Sequence, residues 1–305
     1  MKTGNSLGAL RKALEHHPTW KRLVAAGAIA NLAIIMLVLP ACATRTPLKP
    51  GWNMYSPQMD VQIGERVSRD AERQLVLCND AQVDAYLDHL GKRLAEKAPT
   101  NGIRYPFRFK CVNDRSINAF ALPGGFVYIN RGAIEAAGDE AQLAGVMAHE
   151  ISHVALRHGT NQASKGQGWQ LGLGAIGALT GNNLAGALVR QLGGFAANSI
   201  LLKYSRTAET QADVMGTQIL YDTGYDSRAM VQFFEKLQEQ SKGKNPPQFF
   251  SNHPNPDHRM ERVDEEIDKL GGLPQNYRRD SLEFHDARTR LLAMPAAPKS
   301  RAFRQ

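Results

Sequence analysis

The chain has 305 residues, with 37 Lys and Arg against 29 Asp and Glu, and a formal net charge of +8. That length corresponds to one or two domains. The excess charge sits at the ends: residues 1–41 and 272–305 each carry +4, so the body between them is neutral, which argues against a nucleic-acid surface.

At the N-terminus, Lys21 and Arg22 precede an uncharged run of 17 residues, "LVAAGAIANLAIIMLVL" (23–39), which leads into "LPAC" (39–42). A basic region, an apolar core and a small residue before a cut predict a secretory signal over 1–41. An uncleaved anchor is the alternative, but the run is short for a span and Asn31 interrupts it. The ending Leu-x-Ala-Cys resembles the bacterial lipoprotein cleavage box, which implies cleavage before Cys42 and lipid on Cys42 as the link to the membrane. Ala43 stands where an Asp would favour inner-membrane retention, so the resemblance implies the outer membrane, on its periplasmic side. Export places Cys78 and Cys111 in an oxidising compartment. One disulfide and two buried thiols both fit, because a sequence carries no Cα separation.

Residues 42–60, rich in Pro, Thr and Gly, read as a tether. From Val61 to Glu96 the apolar spacing is helical, with Val83, Tyr86, Leu87, Leu90 and Leu94 at three- and four-residue intervals. "YPFRFKCV" (105–112) alternates like a strand with one wet face. In "NAFALPGGFVYIN" (118–130), Pro123, Gly124 and Gly125 make a turn and "FVYIN" is a strand. A short helix from Gly132 leads to Asp139, a cap for the helix after it. Residues 159–200 are rich in Gly, Ala and Leu and broken at Asn182 and Asn183, so they read as a buried or cleft-lining helical insert rather than a membrane hairpin. Helices follow over about 207–222 and 227–240, then a loop (241–248), a Pro-rich turn and a helix ending at Gly271. The expectation is an α+β fold, mostly helical, with a small sheet and one domain over 61–271, followed by a basic tail over 272–305.

The segment "AGVMAHEISHVALRHG" (144–159) carries the chemistry. Val146, Met147, Ile151, Val154 and Leu156 spread apolar surface around most of a helix, so it reads as buried. His149 and His153 share one face, their Cβ atoms about 5–6 Å apart, within reach of one metal ion. Glu150 lies about 100° round the helix, placed to take a proton from water without ligating. This is H-E-x-x-H: two zinc ligands and a base. A chance match would leave two His and a Glu without partners in an apolar helix, which is costly. His158 has the wrong spacing for a ligand and reads as a surface histidine.

A catalytic zinc needs a third protein ligand. A nearby His in an extended H-E-x-x-H-x-x-G-x-x-H pattern is excluded, because Leu156 and Gly159 stand at the required positions. A Glu from another helix is the remaining solution. "SRTAETQADVMG" (205–216) offers Glu209 and Asp213 on one face, beside Ala212 and Met215. Glu209 can ligate, and Asp213 can accept the free ring N–H of a ligating histidine.

"NAFALPGG", "HEISH", "KYSRTAETQAD" and "SNHP" occur in the order found in the HtpX- and CAAX-protease-like zinc metallopeptidases, peptidase family M-forty-eight. Over about residues 60–270 the chain resembles their exported, single-domain bacterial members. The resemblance implies a gluzincin-type peptidase with one zinc per chain on His149, His153 and Glu209, and Glu150 as base. It also implies that His253 lies near the zinc, either stabilising the oxyanion or plugging the metal. The chain differs from the integral-membrane members in having no clear multi-span region.

The expected function is a zinc metalloendopeptidase of the bacterial envelope acting on polypeptides, with clearance of damaged envelope proteins suggested by the family. The substrate strand is expected along Gly124, Gly125, Phe126 and Val127, where glycine allows close backbone approach. The competing class is a non-catalytic, zinc-stabilised holdase or assembly factor, for which an intact Glu150 has no use.

Overall fold

The computed structural model describes residues 44–171, 204–240, 247–254 and 258–295, the side chains of 166–171 and 240 excepted. The expected signal and Cys42 lie outside these residues, as does most of the 159–200 insert. The chain divides at Thr44, and everything below concerns the unit that starts at Arg45.

A three-stranded sheet is built from β1 (Arg108–Val112), β2 (Ala119–Leu122) and β3 (Phe126–Asn130), in the order β1-β3-β2. β3 pairs parallel with β1 and antiparallel with β2. Alternate residues face opposite sides. Phe126 and Tyr128 meet α1 (Pro57–Glu72) in a small cluster with Tyr55, Ile63, Val67 and Leu122. Val127 and Ile129 face the main core with α2 (Ala81–Ala95) and α4 (Glu140–Ala155). β3 is therefore buried along its whole length.

After the short α3 (Arg131–Ala136), α4 starts at Asp139, whose side chain accepts from Gln142 N at 3.0 Å, as the sequence predicts for a cap. α5 (His158–Leu171) follows it. α6 (Arg206–Thr223) is capped by Ser205 and ends on Gly224 at φ +78°. α7 (Ala229–Gln240), α8 (Gln248–Asn252), α9 (Arg259–Lys269) and α10 (Leu282–Ala293) complete the unit. α4 packs on α6 and α7. A Cβ on Gly145 would sit 2.6 Å from Met230 Cα, so only glycine allows α4 and α7 to approach this closely. The fold is α+β and mostly helical, with the sheet beside the helix of the H-E-x-x-H segment. Among the described residues no helix is long and apolar enough to cross a membrane.

Several expectations are corrected. The helix read from Val61 to Glu96 is two helices. Between them Leu77 bridges Val112 and Asp80 caps α2, so tertiary pairing breaks the run. For Cys78 and Cys111, where a disulfide and two thiols both fitted the sequence, the structure has the disulfide, with Cα atoms 5.4 Å apart. The expected tether is helical from Pro57, and its start is bonded to the body: Arg45 to Asp222 at 2.8 and 2.9 Å, and Asn53 to Thr160 at 2.7 Å. The basic tail contains α10, whose Phe284, Ala287 and Leu291 join the main core.

Candidate metal centre and active site

α4, α6 and the end of α8 bring His149, His153, Glu209 and His253 together, with one ligand-type atom of each within 4.8 Å of all the others. All four are buried. His149 Nε2 lies 3.1 Å from His153 Nε2, 3.3 Å from His253 Nδ1 and 3.3 Å from Glu209 Oε2. Glu209 Oε1 is 3.5 Å from His153 Nε2 and 3.1 Å from His253 Nδ1. Metal bonds of about 2.0–2.1 Å put tetrahedral neighbours about 3.3–3.4 Å apart, so these separations suit one small metal ion. Both oxygens of Glu150 and Oε2 of Glu209 are buried without a hydrogen-bond partner among the described residues. Buried carboxyl oxygens are seldom left so, and a cation among them removes the penalty.

Asp213 Oδ1 lies 3.1 Å from His149 Nδ1, on the face the helix spacing predicts. On its other side Asp213 receives Arg259 Nε at 2.7 Å, and Arg259 Nη2 lies 3.5 Å from Glu209 Oε2. The guanidinium stacks over Phe234 at 4.5 Å. His253 stacks on Phe249, with ring centroids 4.4 Å apart, and its Nε2 lies 3.4 Å from Glu150 Oε1. Phe249 sits in the main core and Phe250 packs against it, which docks the segment that carries His253.

Burial pushes the Glu150 carboxyl up, against the pull of His253 and His149. Burial alone would also raise Glu209, but the His253 and His149 rings outweigh it and hold that carboxylate well below its usual range. Burial would lower His149, yet the hydrogen bonds to Asp213 and Glu209 leave it raised to about 9, so a metal binding at Nε2 must expel a proton.

The profile of Peptidase family M48 matches residues 81–267. The chain belongs to this peptidase family. It is 32% identical over 243 residues to the beta-barrel assembly-enhancing protease of Escherichia coli K12, covering 77% of this chain and 48% of that protein. It is 30% identical over 276 residues to a putative beta-barrel assembly-enhancing protease of Vibrio cholerae, covering 86% and 56%. With the Escherichia coli metalloprotease YcaL it shares 32% identity over 190 residues, 61% of this chain and 73% of the relative. The chain spans about half the length of the first two relatives.

One site expectation of this M48 chain moves. Phe126 pairs with both Arg108 and Leu122, and Val127 with both Phe109 and Ala121, so neither strand edge of β3 is free for a substrate. Gly124 (φ +80°) and Gly125 (φ +104°) serve the turn and the close approach of α1: a Cβ on Gly124 would lie 2.6 Å from Val61 Cα. Two residues escaped sequence reasoning. His158 is buried, with Nδ1 2.9 Å from His153 Nδ1. Burial drives its ring down to about 4, so it is neutral. Arg259 stood unmarked in a charge-rich helix, and its only signal was its place six residues beyond His253.

Proposed function

We propose that the chain is a zinc-dependent endopeptidase of the bacterial cell envelope that degrades misfolded or damaged envelope proteins. The observation that carries the reaction class is Glu150, fully buried beside the meeting point of His149, His153 and Glu209. Those three residues would hold one zinc per chain, the donor set of a catalytic site. Zinc, when bound, polarises the scissile carbonyl and makes water a nucleophile near neutral pH. Glu150 takes the proton from the attacking water and passes it to the leaving amine. Asp213 fixes the His149 ring through Nδ1, and Phe234 and Phe249 keep bulk water from that ring.

The substrate strand is assigned to the outer edge of β2. Asn118 O accepts from Asn130 N at 3.0 Å, so the ladder bonds alternate through 118, 120 and 122. The backbone groups of Ala119 and Ala121 then point away from β3, toward the side where the Ala121 N–H lowers the Glu150 pKa. Backbone pairing there makes selectivity loose.

Envelope placement is supported by the Leu-x-Ala-Cys sequence and by the name of the beta-barrel assembly-enhancing relatives. Lipid on Cys42 would join the protein to the outer membrane, and an unmodified Cys42 in the mass spectrum of the mature chain would end that part of the reading. The test of the whole is digestion of casein by the purified full chain, with and without a zinc chelator. Digestion that survives complete metal removal would defeat the proposal, and zinc binding without digestion would favour the holdase.

His253 is assigned to the fourth ligand position rather than to an oxyanion donor, because Nδ1 sits as close to His149 and Glu209 as a ligand would. In that seat it holds the enzyme off until it moves away. His253→Ala is therefore expected to digest casein faster than the wild type. A loss of about 10²-fold with zinc retained would instead make the ring an oxyanion donor.

A further inference from the structure

His153 is engaged at both ring nitrogens. Its Nε2 faces the ligand cluster, 3.1 Å from His149 Nε2 and 3.5 Å from Glu209 Oε1. Its Nδ1 lies 2.9 Å from His158 Nδ1, and His158 Nε2 lies 3.1 Å from Gln211 Oε1. Two imidazoles that meet through Nδ1 admit one placement of protons when Nε2 of the first is a ligand. That Nε2 offers its lone pair, so the proton of neutral His153 is on Nδ1. His158 then accepts at Nδ1 and carries its own proton on Nε2, which meets the carbonyl oxygen of Gln211. Each ring N–H of the pair then finds an acceptor, and the order is fixed by the lone pair that His153 Nε2 gives to the metal.

We propose that His158, itself oriented by Gln211, is the positioning residue for metal ligand His153, the counterpart of Asp213 on His149. The inference rests on the zinc reading above. It deepens that reading by assigning each ligating histidine its own partner, one anionic and one neutral. A neutral partner orients the ring without adding a fourth carboxyl group to a pocket that already holds Glu150, Glu209 and Asp213.

The backbone is shaped to deliver this contact. On an unbroken helix a residue five positions beyond His153 would point about 140° away from it. Instead Arg157 takes the left-handed conformation, φ +57°, and the chain turns so that α5 starts at His158. A non-glycine residue in that region is strained and needs its surroundings to hold it. Arg157 is held: Nε donates to Asp60 Oδ2 at 2.6 Å and Nη2 to Tyr55 O at 2.5 Å, while Asp60 is itself buried. Tyr204 closes the other face of His153, stacked at 3.9 Å with 16° between the rings.

The experiment measures zinc affinity of the full chain by chelator competition. His158→Phe keeps a ring of similar shape and removes the acceptor. His158→Asn restores an acceptor at the position of Nδ1. His158→Phe is expected to weaken zinc binding by about 10–100-fold, with His158→Asn recovering most of the loss. Proton NMR of the zinc-loaded wild type should show a slowly exchanging, downfield His153 Nδ1–H. That signal should be absent in His158→Phe and present in His158→Asn. Wild-type affinity in His158→Phe, or a His158→Asn as weak as His158→Phe, would overturn the positioning role while leaving the zinc reading intact. A wild-type chain that binds no zinc would overturn both.

Discussion

Glu150→Gln is expected to keep zinc and lose casein digestion by roughly 10²–10⁴-fold, the range for removing a general base. The amide has the shape of the carboxylate but cannot take up the proton of the attacking water. Nothing else in the pocket replaces it. Among the described residues the other carboxyl groups at the centre, Glu209 and Asp213, are committed to the ligand cluster and to His149 and Arg259. Folding should survive, because the amide keeps the shape of the carboxyl and an oxygen that can face the Ala121 N–H. Metal analysis and casein kinetics on the same sample decide it. Wild-type digestion by a zinc-loaded Glu150→Gln chain would remove the mechanism.

Arg259→Met is expected to cost about 3–5 kcal/mol of stability, the usual result of removing one partner from a buried ion pair. Arg259 is almost fully buried, donates from Nε to Asp213 at 2.7 Å and reaches toward Glu209 with Nη2. Glu150, Glu209 and Asp213 together bring up to three negative charges into a space with one guanidinium. A bound dication completes neutrality only while Arg259 is present. Methionine fills the volume over Phe234 but leaves the Asp213 oxygen without a donor. Arg259→Lys should not restore the loss, since an ammonium cannot serve two carboxylates and lie flat on a ring at once. Denaturant midpoints and zinc content are the measurements, and an unchanged midpoint with full zinc would show that the guanidinium is dispensable.

The parts of the site that were legible in the sequence are those set by helix periodicity alone. His149, Glu150 and His153 are four residues or fewer apart on α4, and Glu209 and Asp213 are four apart on α6, so spacing fixes their faces before any packing is known. His158 was hidden because its position depends on the reversal at Arg157, which Asp60 enforces from 97 positions away in the chain. "FVYIN" is the strand expected, but the substrate edge placed at Phe126 and Val127 is taken, because an apolar run marks a buried strand and does not say that both of its edges are paired. The break between α1 and α2 is set in part by pairing of Leu77 and Cys78 with β1, which no local residue announces, although Asp80 is a legible cap for α2. For α10 the signal was present. Phe284, Ala287 and Leu291 stand at helical spacing, with Arg290 on the exposed face.

The link between Cys78 and Cys111 closes a loop that contains all of α2 and joins it to the first strand of the sheet. Closing a loop of that size removes about 3–4 kcal/mol of freedom from the unfolded chain by the loop-entropy model. Cys111 is 1% exposed and Cys78 9% exposed, so an attacking thiolate has little access while the sheet is closed. Once formed, the bond is therefore guarded by the fold it supports, and its reduction must wait for α2 to leave β1. The joint works as a ratchet on maturation: oxidation and closure each make the reverse of the other slower, and the oxidised domain stays locked even if it later meets a reductant.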